Sequence, residues 1–222
     1  GLLGYWWYLC FEEVEENMPL FLVLPYCGDG YGYSRVRDML IPIVETTNAV
    51  IAVVGLEDDR LSDSENWTEG LMNEIIESIY LRYPIYADSV YLVGMECGGQ
   101  PIVDAFNDLP SSVRGLIPFN PLVGSFSPEA YADCPDLPLC LCSGTNHPDR
   151  DRHVALANVV QSINRKAIVM DLQGVGSEVL VGNLVEKILD CRTFIDTVSG
   201  TSTGRSEIVI GSTMDVFPNP SN

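Results

Sequence analysis

His147 and His153 are the two histidines of the chain, and they restrict the proton transfers it can run near neutral pH, where imidazole is the side chain that titrates. Acyl transfer through a covalent intermediate needs a serine or cysteine nucleophile, a histidine in contact with it, and an acid that orients the histidine. The segment best built to present a nucleophile is Val90-Tyr91-Leu92-Val93-Gly94-Met95-Glu96-Cys97-Gly98-Gly99-Gln100-Pro101: an apolar strand, a sharp turn bounded by glycines, and a helix start. Glu96 stands at the tip, and a carboxylate attacking an acyl carbon would yield an anhydride. Cys97 is the nearest thiol, one position off the tip, and it would put Met95 where a small residue is needed. A helix start lowers a thiol pKa, and the neighbouring Glu96 opposes that.

The other cysteines carry no metal signature. The chain has seven, Cys10, Cys27, Cys97, Cys134, Cys140, Cys142 and Cys191, so at least one is unpaired within it. No C-x-x-C occurs, and Cys140 and Cys142, two apart in an apolar run, would point to one face of a strand. They read as small buried hydrophobes. No metal and no cofactor is expected.

Elements that must position these groups follow from periodicity. Short apolar runs at 5–11, 20–24, 49–55, 90–93, 115–119, 138–142 and 167–172 read as strands, several of them apolar on both faces, as a parallel sheet covered by helices requires. Helical spacing occupies 34–44, 67–83, 101–107, 152–163 and 178–191, most clearly in Leu71, Ile75, Ile76 and Ile79. The expected fold class is α/β, a mostly parallel sheet flanked by helices. Residues 27–32 set three glycines around Asp29 and Tyr31, and 122–138 form a long excursion of the kind that makes a rim or lid.

With 222 residues, 46% hydrophobic and 19% charged, the chain can build one sizeable core. Its 31 acidic residues against 12 basic ones give a net charge of −19, which repels phosphate backbones and anionic lipid, so nucleic acid is excluded as a partner. No apolar run approaches the roughly 20 residues that span a bilayer, and no membrane insertion is expected. Residues 1–10 lack a basic start and a small-residue cleavage site, as in a chain that is kept inside the cell or already trimmed.

Gly94-Met95-Glu96-Cys97-Gly98 resembles the nucleophile elbow G-x-S-x-G of the α/β-hydrolase superfamily, with Glu96 in place of the serine. The run Pro25-Tyr26-Cys27-Gly28 is similar to the oxyanion-loop strand of secreted esterases and polyester depolymerases, where His-Gly-x-Gly is usual; Gly28 alone is kept. In that family a Gly-Thr-x-Asp turn supplies the triad acid, and Gly144-Thr145-Asn146-His147 puts His147 in its place, with Asp149 and Asp151 nearby. A Gly-x-Gly-His turn carries the catalytic histidine, and Gly174-Val175-Gly176-Ser177 offers Ser177. The resemblance spans roughly residues 5–194, and it implies the hydrolase fold with the reactive residue changed at three positions. Under it, Tyr26, Cys27, Gly28, Glu96 and Cys97 line the site, Glu96 fills the oxyanion hole, and a Cys27–Cys97 disulfide can cross that hole in an oxidising compartment.

The composition shifts after Phe194. Residues 1–196 are expected as the hydrolase-like domain, 197–207 as a Ser/Thr/Gly linker, and 208–222 as a C-terminal segment. Its ending, Val216-Phe217-Pro218-Asn219-Pro220-Ser221-Asn222, is similar to the opening of the C-terminal sorting domain of type IX secretion, which implies export across the outer membrane and an extracellular or cell-surface location. Asn66-Trp67-Thr68 matches an N-glycosylation acceptor, and Asp196-Thr197-Val198 resembles the O-glycosylation acceptor of bacteria that use this route. Two functions are therefore expected to compete: a degenerate hydrolase-fold module that binds an extracellular protein or associates with itself, and an active serine- or cysteine-type esterase or depolymerase-like hydrolase using Cys97 or a residue outside the aligned positions.

Overall fold

The computed structural model describes residues 5–11, 18–25, 33–56, 69–104, 109, 112–123, 137–163, 165–177, 183–200 and 213–217. Strands β1 (Tyr5–Phe11), β2 (Met18–Leu24), β3 (Val50–Leu56), β4 (Ile85–Met95), β5 (Val113–Phe119), β6 (Leu139–Gly144), β7 (Ala167–Leu172) and β8 (Thr213–Phe217) form one sheet in the order β7-β6-β5-β4-β2-β3-β1-β8. Strands β2 to β7 run parallel, while β1 is antiparallel to both β3 and β8. The helices are α1 (Tyr33–Thr47), α2 (Glu69–Tyr80), α3 (Gly99–Asp104), α4 (Arg150–Ser162) and α5 (Leu184–Val198).

Alternation along each strand sends side chains to two cores. Leu20, Leu22, Val50, Ala52, Val90, Leu92, Leu139 and Leu141 face α2, α3 and α4 through Ile75, Ile79, Ile102, Leu156 and Val160. Phe21, Val23, Ile51, Val53, Tyr91, Val93, Cys140 and Cys142 face α1 and α5 through Val36, Leu40, Ile188, Cys191 and Ile195. Each fully buried aliphatic side chain contributes about 1.5–3 kcal/mol, so the central strands fix the register of everything at their ends.

The α/β architecture matches the expectation, with boundaries adjusted where polar residues disguise a strand or a helix continues. β4 begins at Ile85, ahead of the expected residue 90, because Met18 pairs with Ile85 across a register shift and carries the strand through Asp88 and Ser89. The last helix, expected at 178–191, instead spans Leu184–Val198: its buried stripe Leu184, Ile188, Cys191, Ile195 continues past Cys191 and stops before Gly200, whose φ is 75°. The C-terminal segment contributes β8, with Trp7 opposite Phe217 and Phe11 opposite Thr213.

One polar cluster ties α5 to the sheet. Asp196, on α5, accepts a 2.8 Å bond from Arg114 Nε and a 2.5 Å bond from the Tyr91 hydroxyl, and lies 3.5 Å from Arg192 Nε. Arg192 also stacks over Phe21 and Tyr91, 5.9 and 5.7 Å from their ring centroids. Burial and the bond to Asp196 raise the Tyr91 pKa, so its hydroxyl remains a donor.

Candidate active site

The turn after β4 is built by steric necessity. β4 ends at Met95, Glu96 takes φ 46°, a single 3-10 turn covers Glu96–Gly98, and α3 begins at Gly99. A left-handed conformation at a residue with a β-carbon costs about 1–2 kcal/mol, so surrounding contacts must hold it. They are close: a β-carbon on Gly94 would lie 2.4 Å from the Gly98 carbonyl oxygen, and one on Gly98 would lie 2.5 Å from that of Pro25. Both glycines of the Gly94-Met95-Glu96-Cys97-Gly98 pattern are therefore required by close backbone approach. The loop after β5 is tied in as well, since Leu122 N–H donates to the Glu96 carbonyl at 3.3 Å. Glu96 is half-buried.

His147 and Ser177 follow the same ends of neighbouring parallel strands. Thr145 N–H donates to the Leu172 carbonyl at 3.0 Å, Asn146 N–H to Val175 at 2.9 Å, and Gly174 N–H to the Thr145 hydroxyl at 2.9 Å. These bonds zip the loop after β6 to the loop after β7. Parallel topology thus brings Glu96, His147 and Ser177 to one sheet edge, at the C-terminal ends of β4, β6 and β7. Ser177 is exposed, and a neutral alcohol has no useful basicity at neutral pH. His147 accepts the Asp149 N–H at Nδ1, 3.0 Å away, so the neutral ring carries its proton on Nε2. Burial lowers its pKa, with Asp149 partly opposing the shift.

A second group at this edge escaped the sequence reading. Ser143 Oγ lies 2.8 Å from His153 Nδ1, and His153 Nε2 lies 2.9 Å from the Pro121 carbonyl oxygen. The carbonyl can only accept, so Nε2 holds the proton and Nδ1 accepts from the serine hydroxyl. This is the polarity of a serine–base pair, yet both residues have no exposed surface, and no substrate reaches them there. Burial lowers the His153 pKa, against the raising effect of the bond to Pro121. Asn120, buried at φ 42°, accepts Gly144 N–H at 2.7 Å and donates to Gly176 O at 3.2 Å. The group fastens the ends of β5, β6 and β7 to the start of α4. One signal was readable: His153, Leu156, Ala157 and Val160 share a single apolar stripe.

Cys97 is disulfide-bonded and 5% exposed. Its sulfur carries no thiolate in this state, which removes the nucleophile considered beside Glu96. Cys140, Cys142 and Cys191 are free and buried. Cys10 lies opposite Ile51, which pairs with Phe21, which pairs with Tyr91. Three strand spacings, about 14 Å, thus separate it from β4, beyond the roughly 7 Å that a disulfide bridges between α-carbons. Tyr26, Cys27, Gly28 and Cys134 lie outside the described residues. Among the described residues no three His, Cys, Asp or Glu side chains converge as a metal site, and no helix is long and apolar enough to cross a membrane.

No protein-family model and no curated protein matches the chain. Solved structures do. An esterase from the Planctomycetes species Thermogutta terrifontis, with butyrate bound, superposes with a TM-score of 0.63 at 9% identity, over 90% of this chain and 92% of that one. The same esterase phosphorylated by paraoxon gives 0.61 at 10% identity, covering 89% and 91%. Esterase PE8 gives 0.58 at 13% identity, covering 84% and 99%. Likeness at these identities speaks to architecture, and together with the parallel sheet and the glycine-bounded turn after β4 it shows that the chain has the α/β-hydrolase fold.

Proposed function

We propose that this chain is a hydrolase-fold protein without hydrolase chemistry, exported and serving as a binding, adhesive or structural module at the cell surface. The observation that carries the reading is Glu96 at φ 46° on the tip of the glycine-bounded turn, where the fold would present a serine. Chemistry supports it from two further positions. Ser177 has no proton-accepting power where a histidine would stand, and His147 offers an uncharged ring where a carboxylate would stand. The disulfide at Cys97 favours the same conclusion, since it withholds the nearest thiol. It also favours export, because disulfides persist in oxidising compartments. For its partner we propose Cys27: Leu24 is paired with Gly94 at the end of β2, three residues before each cysteine. The bond would then hold the loop after β2 against the turn, with the Glu96 carboxylate filling the space an oxyanion would take.

Organophosphate labelling tests the reading. The Thermogutta esterase is phosphorylated by paraoxon; this chain, incubated with paraoxon or a fluorophosphonate, is expected to keep its unmodified mass. A stoichiometric adduct on any residue at this sheet edge would contradict it. Fractionation of the native cell tests export, with the mature protein expected outside the outer membrane and a full-length cytoplasmic pool as the contrary result.

A further inference from the structure

Cys142 and Cys191 are 49 positions apart in the chain, and their sulfur atoms are 3.4 Å apart. Cys142 sits on β6, on the sheet face that α5 covers, and Cys191 sits in the buried stripe of α5. The Cys191 sulfur also lies 3.7 Å from the Cys140 carbonyl oxygen and 3.7 Å from the Met170 sulfur. Met170 is the register neighbour of Cys142 on β7.

We propose that in an oxidising environment Cys142 and Cys191 join as a disulfide that ties α5 to β6. The gap exceeds the S–S bond length of about 2.05 Å, so forming the bond requires the two buried side chains to move together by about 1.4 Å. Cys140 shares the face, but it sits one pleat earlier, about 6.8 Å down the strand, and the sulfur–sulfur contact is made by Cys142. In the reaction, one thiolate attacks a small disulfide such as oxidised glutathione and displaces one thiol; the second thiolate then attacks the mixed disulfide and displaces the other. The protein gives up two electrons and two protons, and the oxidant leaves as two thiols. Burial raises the pKa of both cysteines, so the pair reacts while the chain folds, before α5 closes over β6.

From the functional reading this inference takes only the oxidising compartment, and its test supplies its own oxidant. The full chain is unfolded, reduced, refolded in a glutathione redox buffer, then denatured and alkylated without reductant for peptide mass mapping. Cys142 and Cys191 should escape alkylation and appear as one linked pair, whose reduction lowers the melting temperature by several degrees. The linkage should survive Cys140→Ala, whereas Cys142→Ala should leave Cys191 alkylated. Alkylation of both residues in the wild-type chain, or linkage of Cys191 to any other cysteine, overturns the proposal. Neither result bears on export, which fractionation tests separately.

Discussion

A β-carbon on Gly98 would stand 2.3 Å from the carbonyl oxygen of Leu24: the turn after β4 rides directly on the end of β2. Both partners are main chain and neither can yield as a flexible side chain would. The Gly98→Ala and Gly94→Ala variants are therefore expected to lose about 2–3 kcal/mol of unfolding free energy each, read from urea midpoints. A Gly98→Ala variant as stable as the wild type would mean that the turn does not touch β2.

The second expectation concerns the charge cluster beneath α5. Asp196, with a side chain 7% exposed, is the carboxylate shared by Arg114 and Arg192, at 13% and 15%. One further nitrogen of Arg114, Nη2, is buried and has no hydrogen-bond partner among the described residues. Replacing the carboxylate leaves two shielded guanidinium groups without a counter-charge, and Asp196→Asn should cost about 3 kcal/mol. The half-exposed Arg150–Asp171 bridge is the control: Asp171→Asn should change stability by less than about 1 kcal/mol. Equal effects would refute the assignment of a shielded cluster.

Protonation of the histidines should loosen the site edge. Burial lowers the pKa of both His147 and His153, whose rings stand 4.9 Å apart. The unfolded rings accept a proton near pH 6.5 while the folded rings resist it, so the unfolded state binds more protons as the pH falls. Their contribution is full above about pH 6.5 and is lost progressively below it. The measurement is a difference: the stability gap between wild type and a His147→Gln/His153→Gln double variant should narrow from pH 8 to pH 5.5. A gap that widens on acidification would reverse the sign of the argument.

Much of this was legible in the chain itself because it depends on local pattern. Runs such as Leu20-Phe21-Leu22-Val23-Leu24 are apolar on both faces, which leaves little choice but a strand covered on two sides, and the spacing of Gly94 and Gly98 marks a turn that needs close backbone approach. What was not legible depends on residues brought together from a distance. Ser143 and His153 meet across a strand end and a helix start, Asn120 bridges two loops that follow later strands, and Asp196 reaches Tyr91 over 105 positions. The extra length of β4 was hidden by Asp88 and Ser89, polar residues at a partly exposed strand start. Their placement follows from pairing with β2, which no periodicity within 85–95 reveals.

Turnover of a short-chain p-nitrophenyl ester by two purified proteins tests the central claim most directly: the wild type, and a variant carrying Glu96→Ser, Ser177→His and His147→Asp together. Losing both nucleophile and base costs on the order of 10⁶-fold in rate in a hydrolase triad, so the wild type should be indistinguishable from buffer. Glu96→Ser alone should stay there, having nothing to take its proton, and the triple variant should rise measurably above background. Wild-type turnover above the buffer rate would contradict the account: if lost on Cys97→Ala it would come from that cysteine, and if it survived, from a site other than the turn after β4.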